Sequence, residues 1–253
     1  MSMTDDPTPL PRPAETALFL DFDGTLVEIA PTPESVVAAP GLADLLARLD
    51  ERLGGALAVV SGRPVEQIDG FLAPLRLPVA GLHGLDCRLA DGRRVRRVPD
   101  GLEPALDRAR QRFGAFVADR PGTRLEDKAL TVALHYRLAP AAEAAARALA
   151  AEVAAGSGGL LEVRTGKMVL ELAPPGRTKG DAVRDLLGEP PFRGRRPVFC
   201  GDDVTDEDGF RAVAAMGGLG IRVGDPSVPT AACGRLADVQ AMLDWLQALA
   251  ERA

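Results

Sequence analysis

Basic runs, cysteine pairs and long apolar stretches are all scarce in this chain, and each scarcity excludes something. Lysine and arginine number 30 against 36 aspartates and glutamates, a formal charge of −6, and the longest basic block is the short "GRRVRR" at 92–97. A phosphate-backbone binder carries a basic face, so no nucleic-acid partner is expected and those arginines read as a solvated hairpin edge. Cys87, Cys200 and Cys233 are odd in number, far apart and without a CxxC pair. They indicate neither a disulfide framework nor a zinc site. No apolar run approaches membrane-spanning length, so no membrane partner is expected. The acidic, proline-rich opening 1–16, "MSMTDDPTPLPRPAET", lacks the apolar segment of a signal peptide and reads as a disordered leader. A reducing cytoplasm is the expected setting.

What is present is enough apolar material for a packed core: 46% hydrophobic and 26% charged over 253 residues, a length open to one large domain or two ordinary ones. Ala17 to Leu20 is an apolar run suited to a buried strand. Thr32 before Pro33 and Glu34 resembles a helix start, and "GLADLLARLDERLG" repeats apolar residues at helical spacing. "ALAVV" (56–60) and "PVAGL" (78–82) follow as strands. This alternation predicts a parallel sheet with helices on both faces, a Rossmann-like α/β core. From about Glu103 the order changes to helix, two strands, an alanine-rich helix and two strands, ending with "MVLELAP". Such an αββαββ run predicts an inserted α+β module with an antiparallel sheet. After "PPGRTKG" the βα rhythm resumes through a helix at 180–188, "PVFCG", a helix after Asp206, "LGIRV" and a last helix opened by Asp238. The expected division is a core of 17–102 and 177–253 with an inserted cap of 103–176.

In open α/β sheets ligands bind beyond the carboxyl ends of the strands. That edge collects Asp21 and Asp23 after the first strand, Ser61 and Gly62 after the second, and Gly201, Asp202 and Asp203 after "PVFC", with Lys179 opening a helix. Converging carboxylates repel and raise one another's pKa unless a cation sits among them. A hard divalent ion such as Mg²⁺ suits oxygen ligands. With Lys179 and the Ser61 hydroxyl to neutralise phosphoryl oxygens, the set is one for phosphoryl transfer. Asp21 is then the candidate nucleophile and Asp23 the candidate acid and base. Each piece alone has a plainer reading: a calcium or turn motif for "DFDGT", loop chemistry for "SGR", a solvated lysine, and an acidic helix N-terminus for "GDDVTDED". Their conjunction, in this order and each at a strand end or helix start, favours the chemical reading.

"DFDGT", "VVSGR", Lys179 and "GDDVTDED" resemble the four motifs of haloacid dehalogenase-like phosphatases, and the αββαββ module resembles the cap that one branch carries. The resemblance implies a nucleophile at Asp21, an acid/base at Asp23, and a metal held by Asp21, Asp202 and the backbone carbonyl of Asp23, with Asp203 and Asp206 in support. A dehalogenase lacks the second aspartate, so Asp23 points to phosphate esters. Further, "GLHG" around His83, "EDK" followed by "HYR", "GKMVLEL" and "GDDVTDEDGF" resemble the trehalose-6-phosphate phosphatases over nearly the whole chain after the leader. That implies a small-molecule sugar phosphate as partner, and a monomer is compatible with it. Sugar hydroxyls require paired donors and acceptors. Glu126, Lys128 and Glu171 are the expected cap groups, joined by Arg63 and His83 from the core. For Glu126 and Lys128 the alternative is an ion pair on a solvated strand. One position departs from the pattern: the family commonly has a glutamate shortly after "GLHG", where this chain has Asp86 followed by Cys87. Other capped sugar-phosphate phosphatases, acting on mannosyl- or glucosyl-3-phosphoglycerate or sucrose 6-phosphate, and a phosphomutase share the core motifs and remain alternatives.

Overall fold

A computed structural model describes residues 11–252. The expected disordered leader spans 1–16, and its first ten residues lie outside the described residues. Pro13–Glu15 instead form a 3-10 turn, and the first strand, β1, runs over Thr16–Leu20. The Thr16 hydroxyl donates to the Arg12 carbonyl at 2.7 Å and ties this turn to the strand.

The remaining elements are α1 (Leu42–Arg52), β2 (Leu57–Val60), α2 (Val65–Leu72), β3 (Val79–Gly81), β4 (Asp86–Arg88), β5 (Arg94–Arg96), α3 (Leu102–Ala118), β6 (Arg124–Asp127) and β7 (Val132–His135). After them come α4 (Glu143–Ala155), β8 (Glu162–Gly166), β9 (Val169–Ala173), α5 (Lys179–Leu187), β10 (Arg196–Gly201), α6 (Glu207–Ala215), β11 (Leu219–Val223), β12 (Gly234–Leu236) and α7 (Val239–Glu251). The chain divides into two compact units, 1–94 with 178–253, and 95–177.

The first unit is built on a sheet of order β12-β11-β10-β1-β2-β3-β4-β5. Its pairings are parallel from β12 through β3, and β3 with β4 is antiparallel. β1 and β2 are buried along their whole length, as strands covered on both faces must be. The sheet grows outward in both directions from the β10–β1 pair, so the strand order switches there. α1 buries Leu42, Leu45, Leu46 and Leu49, a single helical stripe. The helix start read at Thr32 yields only a 3-10 turn, Pro33–Ser35, whose amide and side-chain box Thr32 and Ser35 close. Pro40 and Gly41, the latter at φ +85°, defer the helix to Leu42. The short strands β4, β5 and β12 escape a reading by periodicity, because three residues complete no pattern. β5 is the sheet edge expected of "GRRVRR", but it is not merely solvated: Arg94 grips the Asp86 carboxylate with two nitrogens and also meets Glu66 at 2.8 Å.

The second unit has the expected αββαββ order and an antiparallel sheet, β6-β7-β9-β8. One sheet face, with Val132, Leu134, Leu170 and Leu172, packs with Ala105, Leu106, Ala109 and Phe113 of α3 and Ala146 and Ala150 of α4 in a single core. The strand register places Glu126, Ala133, Glu171 and Arg164 in one row on the other face.

Candidate active site

Asp21, Ser61 and Asp202 each stand one residue past the end of a strand, and β10, β1 and β2 are adjacent and parallel, so the three share one edge. The Asp21 amide donates to the Cys200 carbonyl at 2.9 Å, extending the β1–β10 ladder to the site itself. Lys179 is the first residue of α5, oriented by a box in which Thr178 Oγ1 accepts from the Asp181 amide at 3.2 Å and Asp181 Oδ2 accepts from the Thr178 amide at 3.0 Å.

From there Lys179 Nζ donates to Asp21 Oδ1 at 2.7 Å and to Asp206 Oδ1 at 2.6 Å, all three residues being buried. Asp206 is saturated: its second oxygen accepts the amides of Asp202 at 3.0 Å and Asp203 at 2.9 Å. It folds the chain after β10 into a tight turn and aims Asp202 back at Asp21. Carboxylate oxygens of Asp21, Asp202 and Asp206 lie within 4.8 Å of one another. Gly24, at φ +79°, makes this approach possible, since a Cβ there would run into the Asp202 carboxylate.

Three carboxylates therefore face one ammonium. Burial would discharge Lys179, but the charges of Asp206 and Asp21 outweigh it and hold the ammonium protonated. Burial pushes the Asp21 carboxyl well above its ordinary value, with Asp206 and Asp202 adding to the rise and Lys179 opposing it. A further cation fits this donor set. Asp21 and Asp202 supply the hard oxygens it needs, whereas Asp206 has both oxygens committed to Lys179 and backbone amides. Asp206, expected only in support, is thus the residue that holds the other two in place.

The Asp23 carboxylate lies outside this cluster. Arg63 takes it with two nitrogens, Nε to Oδ2 at 2.6 Å and Nη2 to Oδ1 at 2.7 Å, and also donates to Gln67 Oε1 at 3.1 Å. Arg63 is thereby fixed beside Ser61, whose Oγ accepts its amide at 3.2 Å. His83 is buried in a backbone that turns through positive φ at Leu82 (+51°) and His83 (+57°), an arrangement costly for non-glycine residues. The turn is held by Leu82 N donating to Arg63 O at 3.1 Å and His83 N donating to Ser61 O at 3.0 Å. It brings the imidazole against Gly62, where a Cβ would stand 2.8 Å from Nε2. The structure thus brings Ser61, Arg63 and His83 into one bonded group with Asp23. The departure at Asp86 has a structural account: its buried carboxylate is occupied by Arg94.

In the second unit, Lys128 Nζ lies 3.9 Å from Glu126 Oε2 and 3.6 Å from Glu171 Oε1, so the three expected cap residues do converge. Two neighbours not expected among the binding residues join them, His135 of the "HYR" motif and Thr131. His135 Nε2 is 2.8 Å from Glu126 Oε2, and the Thr131 hydroxyl donates to Glu171 Oε1. Burial would raise the Glu126 carboxyl, but the His135 hydrogen bond and the Lys128 charge hold it below its ordinary value. Strand alternation marks His135 as sharing a face with Glu126, a signal available in the sequence; the Thr131 contact depends on the hairpin turn.

A doubly covered, mostly parallel sheet with a lysine-bridged aspartate cluster at its carboxyl edge and an αββαββ unit inserted in the chain is the build of a haloacid dehalogenase-like phosphatase. A trehalose-phosphatase family model matches residues 19–251. A probable trehalose-phosphate phosphatase of Sinorhizobium fredii is 43% identical over 235 residues, covering 92% of this chain and 87% of that protein. The trehalose-6-phosphate phosphatase of Escherichia coli is 39% identical over 247 residues, covering 97% and 91%. Among solved structures, a trehalose-6-phosphate phosphatase related protein superposes with a TM-score of 0.78 at 34% identity, covering 92% of this chain and 96% of that one. The C-terminal domain of the Candida albicans trehalose-6-phosphate phosphatase, at 20% identity and a TM-score of 0.83, shares the fold. The chain belongs to the trehalose-phosphatase family. No helix among the described residues is long and apolar enough to cross a membrane.

Proposed function

We propose that this chain is a Mg²⁺-dependent phosphatase that hydrolyses trehalose 6-phosphate to trehalose and inorganic phosphate through an aspartyl-phosphate on Asp21. The observation that carries the chemistry is Lys179 bridging Asp21 and Asp206 at 2.7 and 2.6 Å beside Asp202. The substrate rests on family membership and on names such as that of the Escherichia coli relative.

Asp21 Oδ1 is bonded to Lys179, which leaves Oδ2 to attack phosphorus as the bond from phosphorus to the sugar O6 breaks. Asp23, entering in its acid form, gives its proton to the departing oxygen and regains one from the water that attacks phosphorus and breaks its bond to Asp21, releasing phosphate. To do so Asp23 exchanges its Arg63 partner for the leaving oxygen. Lys179 and the Ser61 hydroxyl bind the phosphoryl oxygens. Asp21, Asp202 and the Asp23 carbonyl would hold Mg²⁺, which when bound would supply charge neutralisation for the same oxygens. The second unit serves as the cap, and its Glu126, Lys128 and Glu171 read the sugar hydroxyls while Arg63 and His83 bind from the core.

The test is phosphate release from trehalose 6-phosphate beside glucose 6-phosphate, sucrose 6-phosphate and mannosyl-3-phosphoglycerate, with Mg²⁺ and with a chelator. A preference for trehalose 6-phosphate of at least about a hundredfold, lost on chelation, is expected. Metal-dependent preference for another ester overturns the substrate; release that survives chelation overturns the metal's role.

A further inference from the structure

Lys128 stands 3.6 and 3.9 Å from its two glutamates, at ion-pair distance. Glu126 and Glu171 carry nearly buried side chains, 10% and 9% exposed. A carboxylate can only accept, so His135 Nε2 carries the proton toward Glu126 and Thr131 Oγ1 donates its own toward Glu171. The two donors flank the same strand: Thr131 immediately precedes β7 and His135 is its last residue. β7 lies between β6, which carries Glu126, and β9, which carries Glu171. The central strand therefore reaches out to one carboxylate on each side.

The hairpin between β6 and β7 adds a third restraint. Thr131 also accepts the Lys128 amide on its carbonyl at 3.0 Å. Ala129 adopts φ +68°, a left-handed conformation unfavourable for a non-glycine residue. That conformation is held by Asp127 Oδ1, which accepts the Ala129 amide at 2.9 Å, and by Arg110 of α3, which donates Nη2 to the Ala129 carbonyl at 3.1 Å and Nε to Asp127 Oδ2 at 2.9 Å. A hairpin kept in an unfavourable conformation by a helix arginine sets where Lys128 stands, and Thr131 ties that hairpin to Glu171.

We propose that Thr131 and His135 are positioning residues for sugar recognition, holding Glu171 and Glu126 in the orientation that accepts sugar hydroxyls. The proposal rests on the reading of Glu126, Lys128 and Glu171 given above. Thr131→Val and His135→Leu each remove one donor, while Thr131→Ser and His135→Gln restore one. The experiment measures kcat and KM separately for trehalose 6-phosphate and for p-nitrophenyl phosphate, an ester without sugar. Thr131→Val and His135→Leu are expected to raise KM for trehalose 6-phosphate about tenfold or more at unchanged kcat. Their constants for p-nitrophenyl phosphate stay as in the unsubstituted enzyme, and Thr131→Ser and His135→Gln recover most of the KM. An unchanged KM for trehalose 6-phosphate, or equal losses on both esters without rescue, overturns the proposal. Thr131 is fully buried, so if its valine variant fails to fold, His135→Leu, whose site is 21% exposed, decides the matter. An unsubstituted enzyme that turns over p-nitrophenyl phosphate but not trehalose 6-phosphate overturns the proposed substrate, a result separate from any variant's behaviour.

Discussion

In the first unit Lys179 bonds two aspartates at 2.7 and 2.6 Å, whereas in the second Lys128 stands 3.6 and 3.9 Å from two glutamates. Asp21 stands at the end of β1 and Asp206 in the turn after β10, where two backbone amides hold it; the glutamates come from strand interiors and accept from the side chains of Thr131 and His135. Short bonds within a buried cluster suit a site where charge develops at one phosphorus atom, because donors that do not reorganise stabilise a transition state best. The looser cluster suits the proposed recognition of a ligand's hydroxyls, and the tighter one the proposed chemistry.

The sharpest way to break that contrast is Asp21→Asn. Phosphate release is expected to fall at least about a thousandfold, while circular dichroism and the cooperative melt remain those of the folded chain. An active variant would remove Asp21 as nucleophile and with it the chemical half of the comparison.

Lys179→Met comes next in size, measured as stability. It leaves Asp21 and Asp206 buried and facing without a cation, and removing one partner of a buried pair costs about 3–5 kcal/mol. The urea midpoint should drop, and adding Asp206→Asn should recover part of the loss. A midpoint that does not move would mean the cluster is not held by Lys179.

The smallest effect belongs to the recognition cluster. Glu126 has its carboxyl held below its ordinary value of 4.5, so its contribution is fully present above that pH and is lost as pH falls through the depressed folded value. Glu126→Gln should flatten that part of the acid side of a thermal-stability profile by about 1 kcal/mol or less. An unaltered profile would show that His135 and Lys128 do not act on Glu126 as the geometry has it.

Much of this was legible beforehand. β1, β2 and β10 are apolar runs ending in chemistry-bearing residues, and the αββαββ order follows from a change of period. Asp21, Asp202 and Lys179 could be placed together by the rule for strand ends. Asp206 could not be given its full part, because its role is to saturate two amides and one ammonium, which depends on the turn after β10. Asp86 read as a departure from a pattern until Arg94, eight residues on, proved to occupy it.

The sequence by itself determined the alternation of the long core strands and helices, the αββαββ insertion, the edge where the aspartates gather and the family, because periodicity and short motifs are local properties of the chain. Only the tertiary structure decided who pairs with whom: Arg63 with Asp23, Lys179 with both Asp21 and Asp206, Thr131 with Glu171 and His135 with Glu126. These partners lie as many as 158 residues apart, and hydrogen bonds depend on distances of a few tenths of an ångström that no spacing along a chain prescribes.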